Sequence, residues 1–210
     1  MVRGEKPRIA YWLDNSLYLN ITNKCSNDCW FCFRNFKQGV GGFNLKLEKE
    51  PAVAEVKAEL EEALGLSRWS EMVFCGFGEP TARLPVLLEI ARWLRKRCGG
   101  AVPVRVDTNG HGYVLNEGVD VAEELRDAGV SMVSVSLNGH DEASYAENCR
   151  PMCGGGFATV VGFVKKAKAA GLMVEVSAVR MPEVDLEKVR AVAESLDVPL
   201  RVRDYIPCFW

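Results

Sequence analysis

The chain has 210 residues, 48% of them hydrophobic and 26% charged, with a formal net charge of -2. That length suits one domain with its own core, and the near-neutral balance gives no strong nucleic-acid or membrane signal. No apolar run approaches the roughly 20 residues of a spanning helix, and the start Met1-Val2-Arg3-Gly4-Glu5-Lys6-Pro7 lacks the apolar stretch of a signal peptide, so a cytoplasmic chain is expected. In a reducing compartment, eight cysteines point to metal ligands or free thiols in preference to a disulfide framework.

In chain order, β-rich runs over 17–22, 71–75, 102–108, 132–138, 173–179 and 200–205 alternate with helical patterns over 53–64, 85–97, 119–128, 157–170 and 185–196. Gly129 and Gly171 fall just past two of the helices, where a left-handed cap is expected. Strand–helix alternation implies a parallel sheet with right-handed crossovers. Six units are too few for a closed eight-stranded barrel. The expected fold is therefore α/β, an open partial (β/α)6 TIM-type barrel of parallel strands, one domain over 1–210 with an N-terminal extension over 1–16.

Several of these strands alternate where an ordinary parallel sheet would be apolar on both faces. Tyr18, Asn20 and Thr22 oppose Leu17, Leu19 and Ile21; Arg105, Asp107 and Asn109 oppose Val104 and Val106; Ser134, Ser136 and Asn138 oppose Val133, Val135 and Leu137. Glu175 and Ser177 alternate with Val174 and Val176, and Arg201 and Arg203 flank Val202. With a period of two, the apolar set packs under helices and the polar set lines a lumen. Two readings of that lumen are open: it receives a charged ligand, or its groups neutralise one another, as Asp107 and Glu175 would with Arg105, Arg201 or Arg203.

The densest chemistry follows the first strand, in Cys25-Ser26-Asn27-Asp28-Cys29-Trp30-Phe31-Cys32. Three thiolates at this spacing on one loop suit three irons of a [4Fe–4S] cluster, with the fourth iron open to a substrate or second cofactor. Structural zinc competes, but closed zinc sites take four N or S ligands, usually as two separated pairs, and His111 and His140 are distant in sequence. After the second strand comes Gly76-Phe77-Gly78-Glu79-Pro80, a tight turn carrying a carboxylate. After the third comes Asp107-Thr108-Asn109-Gly110-His111, whose Asn-Gly pair is a turn signal in its own right; His111 reads as a loop residue in preference to a base. Cys149 and Cys153 form a second pair, open as an auxiliary cluster with Cys75 or Cys208, as a reactive thiol site, or as two free thiols.

The Cys-x3-Cys-x2-Cys run and the Gly-x-Gly-Glu-Pro turn together resemble the radical S-adenosylmethionine (radical SAM) superfamily. The resemblance implies that Cys25, Cys29 and Cys32, in a loop over 23–50, ligate a [4Fe–4S] cluster, and that Gly76, Phe77, Gly78 and Glu79 hold the amino group of SAM. It further implies that Phe31 packs near the adenine, that Ser136 and Asn138 meet the ribose, and that Arg180 or Arg150 meets the carboxylate. Asn20, Arg105, Asp107, Asn109, Cys149, Glu175, Arg201 and Arg203 are then candidates for lining the substrate chamber. Tyr18-Leu19-Asn20-Ile21-Thr22-Asn23-Lys24-Cys25, Phe33-Arg34-Asn35-Phe36, Cys149-Arg150-Pro151 and Arg201-Val202-Arg203-Asp204-Tyr205-Ile206 are similar to one clade, the TatD family-associated radical SAM proteins. The implied activity is reductive cleavage of SAM to a 5′-deoxyadenosyl radical that abstracts hydrogen from an unidentified substrate, an anionic small molecule or a peptide. Reduced flavodoxin or ferredoxin is the implied electron donor. A radical-generating activase of a partner protein, and a non-catalytic iron–sulfur electron carrier or zinc module, are the alternatives.

Overall fold

The structure, a computed structural model, describes residues 6–206. In chain order its elements are β1 (Ala10–Leu13), β2 (Ser16–Leu19), β3 (Gly39–Val40), β4 (Phe43–Asn44), α1 (Val53–Leu64), β5 (Glu71–Phe74), α2 (Leu84–Arg97), β6 (Val104–Thr108), α3 (Gly112–Leu115), α4 (Val121–Asp127), β7 (Met132–Ser136), α5 (Glu142–Cys149), α6 (Phe157–Ala169), β8 (Met173–Arg180), α7 (Leu186–Ser195) and β9 (Leu200–Asp204). Seven strands form one curled sheet in the order β1-β2-β5-β6-β7-β8-β9, a half barrel, and β3 and β4 pair separately.

The six expected strands are β2, β5, β6, β7, β8 and β9, all parallel. The expectation of parallel strands alone needs one correction. β1, inside the expected N-terminal extension, pairs antiparallel with β2 through the two-residue turn Asp14-Asn15, with Asp14 in the left-handed region at φ 51°. α5 was also unexpected. Its N-cap Asp141 accepts from Ser144 N at 2.8 Å, and its chain reverses at Arg150 with φ 46°. Gly129 (φ 97°) and Gly171 (φ 86°) hold the left-handed positions after α4 and α6, as their places in sequence suggested.

The apolar half of the alternation explains the packing. Leu17, Leu19, Met72, Phe74, Val106, Val133, Val135 and Val176 lie on the outer face against Val56 and Leu60 of α1, Leu87 and Ile90 of α2, and Val160 and Phe163 of α6, all essentially inaccessible. Each such side chain contributes about 1.5–3 kcal/mol of burial. Among the described residues, no helix is long and apolar enough to cross a membrane.

The polar half divides by depth. Low in the lumen the groups close on one another. Arg105 binds Glu71 at 2.9 Å and Asp107 at 2.8 Å, Ser134 Oγ donates to Glu175 at 2.7 Å, and Arg201 lies 3.5 Å from Glu175. The register sets these contacts, aligning Asp107 with Ser134 and Ser134 with Glu175 across β6, β7 and β8. Higher up, at the carboxyl ends of the strands, the lumen opens into a cavity.

Candidate active site

A cavity of about 350 Å³ lies over the carboxyl ends of the strands, where ligands of parallel α/β folds bind. Cys25, Cys29 and Cys32 stand on its wall, joined by the Gly76–Glu79 turn, Asn109 of the loop after β6, Ser136 and Asn138 at the end of β7, and Arg203 of β9.

The cysteine loop is held from two sides. Glu79 N donates to Lys24 O at 2.7 Å, while on the other side Asp28 N donates to Arg150 O (3.1 Å), Met152 N to Ser26 O (2.8 Å), and Asn27 forms a β-bridge with Pro151. Gly78 is required by this docking, and Gly76 by the close approach of Asn20 beside it. A Cβ on Gly76 would strike Asn20, and one on Gly78 the carbonyls of Lys24 and Thr22. Asn20, expected in the substrate chamber, is instead a buried brace. Its Nδ2 donates to Leu45 O (2.7 Å) and Arg8 O (3.0 Å), and its Oδ1 accepts from Phe77 N (2.9 Å).

Burial pushes the Cys25 thiol up to about 12 and raises Cys32 as well. Cys29 is raised first by its hydrogen-bonded neighbour Cys149 and then by burial. Cys149 is fully buried and stands behind Cys29 instead of on the cavity wall. Cys208, a possible member of an auxiliary site, lies outside the described residues. Among the described residues, no three His, Cys, Asp or Glu groups converge closely enough to hold one metal ion.

Glu79 is almost wholly buried and already serves four donors. Thr81 N (3.1 Å), Thr81 Oγ1 (2.7 Å) and Thr108 Oγ1 (2.7 Å) reach Oε1, and Asn109 N (2.7 Å) reaches Oε2. It thus ties the turn after β5 to the end of β6. Burial raises its pKa and these hydrogen bonds oppose the rise. One lone pair on Oε2 is left for a ligand.

His111 sits behind the loop with no accessible surface. Asn27 Nδ2 donates to the Tyr145 hydroxyl (3.1 Å), which leaves that O–H to donate to His111 Nε2 (3.1 Å). The ring proton is thereby assigned to Nδ1, shared between Ser26 Oγ (3.1 Å) and Cys153 Sγ (3.3 Å). Asn109 Nδ2 completes the network at Ser26 Oγ (2.7 Å). Burial lowers His111 to about 4 from the ordinary 6.5. Above the ordinary value both folded and unfolded rings are neutral. Between the two values only the unfolded chain takes the proton, so stability falls as pH falls. The His111 contribution is roughly 2 kcal/mol lost between about pH 7 and pH 5. Urea unfolding at both pH values should show that loss as the difference between wild type and His111→Gln. Equal pH dependence in the two proteins would contradict it.

The remaining expected residues divide. Phe31 lines the cavity, and so does Phe77, which packs edge-on against Phe33 (5.8 Å) beneath the Arg34 guanidinium (5.1 Å). Asn138, at φ 47°, lines it while Oδ1 accepts from Val179 N at 2.9 Å. Asp107 reaches the wall from below; burial raises its pKa, with Arg105 the main opposing charge. Arg105, Glu175 and Arg201 stay in the lower layer. Arg180 is exposed, pairs with Asp204 at 3.3 Å and does not line the cavity, so its place does not match a SAM carboxylate ligand. Arg150 is exposed too. Asn27 and Arg34 were not foreseen. Both line the cavity, and Asn27 Oδ1 is buried with no hydrogen-bond partner among the described residues.

A half barrel with three thiols and a Gly-x-Gly-Glu turn on one cavity wall defines a class of iron–sulfur cofactor domain. The chain belongs to the Radical SAM superfamily, whose family profile matches residues 19–196. It is 26% identical over 189 residues to a GTP 3′,8-cyclase of Erythrobacter litoralis, covering 89% of this chain and 50% of the relative. It is 29% identical over 125 residues to an Fe-coproporphyrin III synthase of Methanosarcina barkeri, covering 60% of this chain and 27% of the relative. The chain therefore spans half or less of the length of these relatives. Its fold is similar to native anSMEcpe with bound AdoMet and Cp18Cys peptide, with a TM-score of 0.68 at 17% identity over 90% of this chain and 50% of that one.

Proposed function

We propose that this chain is a radical SAM enzyme in which Cys25, Cys29 and Cys32 hold a [4Fe–4S] cluster and the Gly76–Glu79 turn holds SAM beside it. The observation that carries this reading is the meeting of the three thiols and the turn on one cavity wall. The donor set fits the group: three soft thiols on one short loop share the cavity with the turn and its carboxylate.

When bound, the cluster and SAM supply one-electron cleavage of SAM to methionine and a 5′-deoxyadenosyl radical, which takes a hydrogen atom from the substrate. The chain's own residues bind, orient and exclude water. Glu79 Oε2 and the turn carbonyls receive the SAM ammonium, Asn27 Oδ1 offers an unused acceptor nearby, and Ser136 and Asn138 face the ribose. Phe31 and Phe77 keep water from the adenosyl group. Within the superfamily, the motifs of the Cys25, Cys149 and Arg201 regions favour the TatD family-associated clade, and reduced flavodoxin or ferredoxin is the proposed reductant.

Anaerobic reconstitution with iron and sulfide should yield about four irons per chain and, after reduction, an EPR signal whose shape changes on adding SAM. A protein that retains only zinc, or whose reduced signal ignores SAM, would contradict the proposal.

A further inference from the structure

The charges of the lumen do not cancel evenly. Arg105 is claimed by Glu71 and Asp107, Arg201 by Glu175, and Asp204 by Arg180. Arg203 has no carboxylate within 4.0 Å among the described residues, although it lines the cavity. Among the described residues its one hydrogen bond runs from Nη2 to Ser136 Oγ at 3.3 Å, and its buried Nε meets no partner. Asp107 is near enough for Arg203 to favour its ionised form, but Arg105 already holds that carboxylate at 2.8 Å.

A guanidinium stripped of water on one edge and left unpaired is costly, whereas an oxyanion received by its planar fork gains two charge-assisted hydrogen bonds. Resting on the reading above, we propose that Arg203, positioned by Ser136, binds an oxyanion of the substrate, a carboxylate or a phosphate, and so sets the substrate class as anionic. The place on the sheet separates this anion from the carboxylate of SAM. SAM chelates beside the turn that follows β5, and Arg203 lies on β9, four strands further along. Arg203 thus enters the cavity from the β9 edge of the sheet.

The test is calorimetric titration of the full chain, as purified and after anaerobic cluster loading with SAM, using inorganic phosphate and succinate as separate probes. Wild type should bind at least one probe. Phosphate alone would mark a phosphate ester as the class, and succinate alone a carboxylic acid or peptide terminus; either supports the assignment. Arg203→Gln should weaken the bound probe by about tenfold or more. Arg203→Lys, which keeps the charge without the fork, should fall between. The exposed Arg201→Gln should change probe binding by less than about twofold. Because Ser136 also faces the ribose, SAM affinity should fall in Arg203→Gln by clearly less than probe affinity. Failure of both probes to bind wild type would overturn the proposal. So would a tenfold loss of SAM affinity in Arg203→Gln with probe binding intact, which would hand the guanidinium to SAM. A chain that binds a probe through Arg203 but never binds SAM would leave the anion site standing and refute the radical SAM reading.

Discussion

Replacing Cys25, Cys29 or Cys32 singly with alanine should remove most of the iron that reconstitution loads and lower 5′-deoxyadenosine formation by more than about a hundredfold. Changes to residues that merely support metal ligands cost about 10–100-fold, so loss of a ligand itself must exceed that range. Cys98→Ala is the control, because Cys98 stands at the end of α2 away from the cavity. Iron per chain and product by chromatography read both effects. Equal iron in Cys29→Ala and wild type would remove Cys29 from the ligand set, and Cys149 directly behind it would become the thiol to examine.

The second large effect is at Glu79. Alanine there strands Thr81 N, Thr81 Oγ1, Thr108 Oγ1 and Asn109 N in a buried site. Unpaired buried donors cost about 1–3 kcal/mol each, and truncating one partner of a buried network about 3–5 kcal/mol in all. Urea unfolding should therefore show Glu79→Ala destabilised by about 3–5 kcal/mol. Glu79→Gln keeps one acceptor oxygen and turns an N–H toward Asn109 N or the threonines, for a loss of about 1–3 kcal/mol. SAM affinity should fall in both. A Glu79→Ala protein as stable as wild type would mean that the carboxylate does not brace β5 against β6.

Much of the fold was legible because period-two alternation and intervening amphipathic runs are strong local signals. What escaped was weak or short. β1 has four residues, and its only mark is the Asp14-Asn15 turn. α5 has a polar composition in which Tyr145, Asn148 and Cys149 are its buried residues, too sparse for a helical stripe. The cysteine run and the glycine-rich turn were legible as motifs, but the glycines' reason was not. Gly78 admits the backbone that enters the cysteine loop and Gly76 admits Asn20, contacts that no local pattern encodes.

Arg180 shows how a rule can be stopped too soon. Glu175, Ser177 and Val179 share a face of β8, and Val179 lines the cavity, so Arg180 belongs to the opposite face. Alternation carried one residue further would have excluded it. Asn20 erred the other way. It keeps to the side of Tyr18, but Leu45 and Phe77 cover that side, and Asn20 braces them instead of lining the cavity. The lumen was read as either ligand-lined or self-neutralising, and depth divides it between the two.

The most direct measurement is product analysis of the anaerobically reconstituted full chain given SAM and dithionite. The account predicts 5′-deoxyadenosine and methionine in equal amounts, dependent on the reductant and absent in Cys32→Ala. A fully cluster-loaded wild-type chain that binds SAM and forms no 5′-deoxyadenosine would contradict it.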